Sequence, residues 1–310
     1  MRQALVTGAA GFIGCHLVEA LHDAGCAVTG VDDERSGDWG RLRVPCTQVR
    51  RDIAELEPEQ LDELCAGADV VFHLAAEKHN SAKATPQKII DVNISATRRL
   101  FDAAARARRP KVVFASSLYA YGSMGPEPMR ETDVPTPKTM YGISKLAGEH
   151  LLRIPYDEHP LAWSVLRLFF VYGPRQFAEG GYKSVIVSNF ERLARGEAPT
   201  VFGDGEQSLD YVYVDDVVAA LIAVAAPEHN GTTLNVASGH ALTVNSLTAT
   251  MTAVSGSKLA PRSCPPDWTA GSSRVGDPSA AAGELGWKAD TPIDVGLAAC
   301  WQWFRRSEGV

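Results

Sequence analysis

The sequence predicts an α/β protein: a doubly wound parallel sheet with a smaller, interleaved α/β lobe. Three observations predict it. Short apolar runs alternate with stretches of helical period through the first half of the chain, the pattern of βαβ units. The strand candidates are mostly unbroken apolar runs, which suits a sheet covered on both faces. A glycine-rich turn, Thr7-Gly8-Ala9-Ala10-Gly11-Phe12-Ile13-Gly14, joins the first strand to the first helix.

Taken in order, strands are expected at 3–6, 27–32, 70–74, 111–116 and 164–170. Between them, 11–24 places Ile13, Leu17, Val18 and Leu21 on one helical face, and 96–108 and 144–153 carry similar stripes. After Gly173-Pro174 the pattern changes. A helix at 185–195, a short strand at 200–202, a loop around Gly203-Asp204-Gly205, a helix at 214–226 and a strand at 233–237 follow, with a last helix through Trp301 and Phe304. No internal repeat is present. The two lobes are therefore expected to interleave: 1–168 with 209–239 as the dinucleotide-binding domain, and 169–208 with 240–310 as the substrate-binding lobe.

Composition excludes several classes. The 310 residues are 45% apolar and 22% charged, enough for a sizeable core. A net charge of -7 and no Lys/Arg run argue against nucleic acid or an anionic membrane as partner, leaving a small molecule. The opening residues carry no leader pattern, and no apolar run reaches the ~20 residues of a membrane span, so a cytoplasmic location is expected. Six cysteines without a CxxC pair read as buried thiols, and eight scattered histidines lack ligand spacing, so no metal is expected.

The glycine turn supplies a cofactor site. Gly8, Gly11 and Gly14 fall where a tight turn, a close pyrophosphate approach and helix packing leave no room for a side chain, and Phe12 and Ile13 open a helix whose N–H groups suit phosphate. Asp32, ending the second strand, can accept hydrogen bonds from both ribose hydroxyls and repels a 2'-phosphate, which favours NAD over NADP. Asp33 follows it. Asp52 and Ile53 are candidates for the adenine, with a solvated loop aspartate as the competing reading.

Tyr141-Gly142-Ile143-Ser144-Lys145 puts a phenol and an ammonium four residues apart on one face of a helix start. A free phenol titrates near 10, so a base working at neutrality needs a shift of about three units, roughly 4 kcal/mol. The Lys145 cation and a cationic nicotinamide are charges of the sign that favours phenolate. Ser116-Ser117 ends a strand 24 residues earlier, on the carboxyl edge where open sheets place ligands.

With these residues the chain resembles the extended short-chain dehydrogenase/reductase family, in its nucleotide-sugar epimerase/dehydratase branch. The resemblance runs through 7–14, His73-Leu74-Ala75-Ala76, Asn93 with Thr97, 116–122, 141–145, Val171-Tyr172-Gly173-Pro174 and 201–216. It implies a Rossmann-type domain holding NAD, a Ser117, Tyr141 and Lys145 triad, Leu74, Ala75 and Ala76 against the cofactor, Lys78 by its nicotinamide end, Asn93 stabilising the site, and a homodimer formed through the helices at 96–108 and 144–153. It also implies the reaction: Tyr141 takes a hydroxyl proton as hydride leaves the same carbon, and return of hydride to the other face gives an epimer.

Departures from the family bear on the substrate. Leu118 and Tyr119 stand where dehydratases carry Asp-Glu, which disfavours elimination of water. Phe170 replaces a substrate-facing Asn, Leu209 replaces an arginine that grips diphosphate, and Cys264-Pro265-Pro266-Asp267 lacks the arginine of an Arg-Pro-Gly-Asp element. Guanidinium pairs bidentately with phosphate, so these losses weaken a diphosphate grip unless Arg175, Lys183, Arg262 or Arg274 replaces it. An NAD-dependent sugar epimerase is the reading that results. A sugar or nucleoside dehydrogenase that releases NADH is the alternative, and a dehydratase or a non-catalytic cofactor-binding regulator ranks below both.

Overall fold

The chain builds its main sheet outward from its first strand. In the computed structural model, which describes residues 1–78, 85–122, 127–154, 160–176, 183–266 and 271–307, β1 (Gln3–Thr7) is followed by α1 (Phe12–Asp23), β2 (Ala27–Asp32) and β3 (Thr47–Arg50). The chain then returns past β1 through α2 (Pro58–Ala66) to β4 (Val70–His73), α3 (Thr97–Ala107), β5 (Lys111–Ser117), α4 (Met140–Leu152) and β6 (Trp163–Leu168). Later, α6 (Val214–Val224) leads to β11 (Thr232–Val236). The seven strands lie in the order β11-β6-β5-β4-β1-β2-β3 and every pairing is parallel. Strand order reverses between β1 and β4, and a crevice opens there at the carboxyl ends. This is the doubly wound Rossmann-type sheet expected.

Side chains alternate across it. Val6, Phe72 and Val113 face α1 and α6, whereas Leu5, Val71 and Val112 face α2 and α3 with Leu61, Leu100 and Phe101. Both faces are dry, and each such side chain contributes roughly 1.5–3 kcal/mol by leaving water.

The remaining elements form smaller sheets and a helical cluster. The expected strand at 164–170 is two strands: Phe169 N–H still bonds Val236 O, but Phe170 N–H bonds Asp210 O, and β7 (Phe170–Tyr172) pairs with β10 (Tyr211–Tyr213) instead. The strand thus changes partner at its carboxyl end. β8 (Thr200–Phe202) pairs with β13 (Arg262–Cys264), and β9 (Ser208–Leu209) lies between β12 (Leu242–Thr243) and β14 (Ser273–Arg274). Helices α5 (Val185–Ala194), α7 (Val244–Ser255) and α9 (Ile293–Ser307) bury Phe190, Met251, Leu297 and Phe304 together, and α8 (Ser279–Leu285) packs its Ala281 on the main core. Buried Asp210 ties these parts to the main sheet by accepting from Ser238 N–H and O–H, Gly239 N–H and Gly276 N–H.

His73 closes the carboxyl end of β4 with a definable tautomer. Ala75 N–H donates to Thr7 Oγ1, leaving the Thr7 proton for His73 Nδ1 at 2.7 Å; Thr97 gives its own proton to Val92 O, so His73 Nε2–H donates to Thr97 Oγ1 at 2.8 Å. The ring is fully buried against Phe101 and Phe114, and burial pushes its pKa down to about 3, with the Lys145 charge acting in the same direction. An unfolded histidine near 6.5 binds the proton that the folded one refuses. Stability from this residue is therefore complete above pH 6.5 and falls by about 1.4 kcal/mol per pH unit down to about pH 3. Nitrogen-15 NMR of the imidazole at pH 5 should show a neutral ring protonated on Nε2; an imidazolium at that pH contradicts the network.

Among the described residues no helix is long and apolar enough to cross a membrane, and no group of three metal-ligating side chains occurs. All six cysteines are free thiols.

Candidate active site

The turn after β1 is shaped by contacts that forbid side chains. Gly8 has φ +72°, and a Cβ there would lie 2.9 Å from Ala75 N; a Cβ on Gly14 would lie 2.0 Å from Gly8 O. Gly8 N–H bonds Val31 O and Gly11 N–H bonds Gly8 O. The result is a close backbone cradle opening onto the first turn of α1, whose N–H groups point outward for want of intrahelical partners.

A cleft of about 500 Å³ runs from this cradle along the strand ends. Gly8, Gly11, Phe12, Ile13 and Gly14 form its floor, and Leu74, Ala75 and Ala76 its wall. Asp32, 9% exposed, lines it while accepting Ala10 N–H at 3.0 Å and Glu34 N–H at 2.8 Å. Burial raises its carboxyl above the ordinary range, and the two backbone donors oppose that. Asp33, Asp52 and Ile53 line the same end, and Asp52 also caps the turn at Ile53–Glu55 through Ala54 N–H. A dinucleotide fits these residues: backbone for the pyrophosphate, and a carboxylate for the ribose hydroxyls.

At the other end the structure brings Ser117, Tyr141 and Lys145 into one wall. Helix α4 starts at Met140, four residues before the expected 144, because the Thr139 hydroxyl accepts Gly142 N–H at 3.0 Å. Tyr141 therefore sits in the first turn. Gly142 is required beside it, since a Cβ there would lie 2.2 Å from Tyr119 O. Lys145 is 4% exposed; its Nζ lies 5.7 Å from the Tyr141 ring centre and donates to Ala115 O at 2.8 Å.

In the protein alone burial pushes Tyr141 up to about 12, aided by Tyr119, while the hydrogen bond with Ser117 acts in the opposite direction. Burial also brings Lys145 down to about 8, opposed by the Glu149 charge. Desolvation disfavours both charged forms.

Several expected residues lie elsewhere. Asn93 does not line the cleft: its Oδ1 accepts Glu77 N–H, and its Nδ2 donates to Glu77 O and Ser144 Oγ, so it braces the wall. It can do so because Ile90–Ala96 winds as a π-helix ahead of α3, a wider turn frequent at functional sites. Arg175 lies outside the cleft lining. Only 5% exposed and at φ +65°, it is held bidentately by Glu19 at 2.6 and 3.0 Å and faces α1. Lys183 is paired with Glu191, and Arg262 is exposed on β13. Leu209 and Arg274 are register partners on β9 and β14, buried and outside the cleft lining. Phe170 does line it, as does Lys78 at an exposed position. Arg35, Glu77, Gln176, Ser184 and Val187 also line the cleft, and no motif in the sequence marks them.

Residues 4–237 match the model of the NAD dependent epimerase/dehydratase family. The chain belongs to that family. NAD is accordingly its cofactor, and the match covers the cradle, Asp32 and the Ser117, Tyr141 and Lys145 wall together. Among curated relatives, the UDP-glucose 4-epimerase of Mycolicibacterium smegmatis is 33% identical over 97% of this chain and 98% of its own. Among solved structures, the UDP-glucose 4-epimerase of Thermotoga maritima with UDP-glucose is 32% identical, with a TM-score of 0.91 and 99% of both chains covered. The Thermus thermophilus UDP-glucose 4-epimerase in complex with NAD is 28% identical, with a TM-score of 0.86 over 98% of this chain and 99% of that one.

Proposed function

We propose that the protein is an NAD-dependent epimerase that inverts one carbinol carbon of a nucleotide-activated sugar through a transient ketone. The observation that carries this reading is the wall where Tyr141, Lys145 and Ser117 meet, with no carboxyl group at Leu118 or Tyr119. The glycine cradle and Asp32 would hold NAD, which would supply the acceptor and then the donor of the carbinol hydride. Tyr141 Oη accepts the proton of the sugar hydroxyl and later returns it. Ser117 Oγ–H donates to the sugar oxygen as it becomes a carbonyl, and Lys145 keeps positive charge beside the phenol. Buried Leu118 and the Tyr119 phenol supply no carboxylate for removing water, which supports epimerisation over dehydration.

The same reading assigns 1–168 with 209–239 to holding NAD and 169–208 with 240–310 to the sugar. It also assigns a homodimer to the outer faces of α3 and α4, the helices at 96–108 and 144–153.

Purified protein is incubated with UDP-glucose, UDP-N-acetylglucosamine or UDP-glucuronic acid, and followed by NMR of the sugar and absorbance at 340 nm. Two epimers should interconvert for one of these sugars at flat absorbance, and ultracentrifugation of the same sample should give twice the chain mass. A steady rise of NADH with ketone, or loss of water from the sugar, overturns the epimerase reading.

A further inference from the structure

Arg35 occupies a position that the sequence does not announce. It lies three residues past Asp32 in the loop after β2, and its guanidinium reaches three carboxylates that follow β2, β3 and β4, across the end of β1. Nε donates to Asp33 after β2, Nη2 to Asp52 after β3 at 2.6 Å, and Nη1 pairs with Glu77 after β4 at 2.8 Å. All four residues line the cleft, and together they span its adenosine end beside Asp32 and Ile53. The Arg35 side chain is 36% exposed and the Asp52 and Glu77 side chains 16% and 13%, so the bridge closes the edge of the cleft rather than its floor.

The Glu77 end of the bridge is anchored. Its backbone N–H and C=O are both held by the Asn93 side chain, at 2.7 and 3.0 Å, and Asn93 also donates to Ser144, the neighbour of Lys145. Lys88 Nζ lies 3.4 Å from the same Glu77 oxygen, Oε1. The carboxylates of Asp32, Asp33, Asp52 and Glu77 outnumber the guanidinium, so the group is unsuited to a 2'-phosphate. A planar cation held over a cleft suits an aromatic base and a neutral ribose.

We infer that Arg35 and Glu77 form a clasp across the adenosine end of the cleft that slows release of NAD. The inference rests on the reading of the cleft as an NAD site. A cofactor that ends each turnover unchanged has no need to leave, and an ion-paired strap between the second and fourth strand ends is a means of keeping it.

The test measures NAD carried through purification, and its release rate into excess labelled NAD, for wild type, Arg35→Ala, Glu77→Gln and the pair. Either single change should speed release about tenfold, and the pair should add little beyond one of them. Release from the wild type should quicken with added salt, while release from Arg35→Ala should not. Circular dichroism and melting temperature identify a variant that fails to fold; Arg35→Gln, which keeps the side chain's length without its charge, then serves, and fast release is expected of it. Unchanged release from folded Arg35→Ala, or equal salt response of the two proteins, overturns the clasp. A wild type that binds no NAD at all overturns the cofactor site itself, a distinct result.

Discussion

Replacing Tyr141 by Phe is expected to lower kcat by about 10²–10⁴-fold while leaving NAD bound. The ring fills its place in the first turn of α4, edge-on to Tyr119 at 5.7 Å, and phenylalanine keeps that packing. Only the hydroxyl is lost, and with it the group that moves the sugar proton. Because Ser117 and Lys145 remain, cofactor retention and melting temperature should match those of the wild type. Epimer interconversion by NMR and NAD released on denaturation separate the two effects. Turnover within a factor of ten of wild type would sink the assignment of the proton-transfer role, whereas loss of NAD along with activity would make Tyr141 part of the cofactor's grip.

The fold was legible because its strands are short, apolar and separated by helical periods, and β2 and β8 appear at the bounds the pattern gives. What stayed hidden has physical reasons. Helix α7 (Val244–Ser255) is rich in Thr, Ser and Val, which favour helices weakly; it forms because Val244, Leu247, Thr248 and Met251 fall on one buried face against α5 and α9. The break at Phe169 depends on which strand each backbone N–H finds, a tertiary choice that an apolar run does not reveal. In the site, Gly8, Gly11, Gly14 and Asp32 announce themselves through backbone demands. Arg35 and Glu77 acquire meaning only when three strand ends come together. The guanidiniums considered for phosphate show the opposite failure, since the sequence counts Arg175 as a free cation and the fold gives it to Glu19.

A second large effect is expected at Glu149, which is buried one turn beyond Lys145. Its Oε1 accepts Ser116 Oγ–H at 2.5 Å and Arg167 Nε–H at 2.9 Å, and its Oε2 accepts Arg167 Nη2–H at 2.7 Å. Arg167 is 3% exposed and stacks 4.5 Å from the centre of the Tyr121 ring. Glu149→Ala strips a buried guanidinium of its bidentate carboxylate partner and should cost about 3–5 kcal/mol in urea denaturation. Removing both charges with packing preserved, as Glu149→Leu with Arg167→Met, should recover most of that loss, because the pair's attraction largely offsets its own desolvation. The geometry links this ion pair to the chemistry as well. It holds Ser116, the neighbour of Ser117, and its carboxylate supports the Lys145 charge against burial. The double variant should therefore regain stability without regaining full activity, and its rate should fall off at lower pH than the wild type's as the unsupported Lys145 loses its proton more readily. A double variant less stable than Glu149→Ala, or one with an unaltered pH profile, would show that the pair acts on neither the fold nor the lysine in this way.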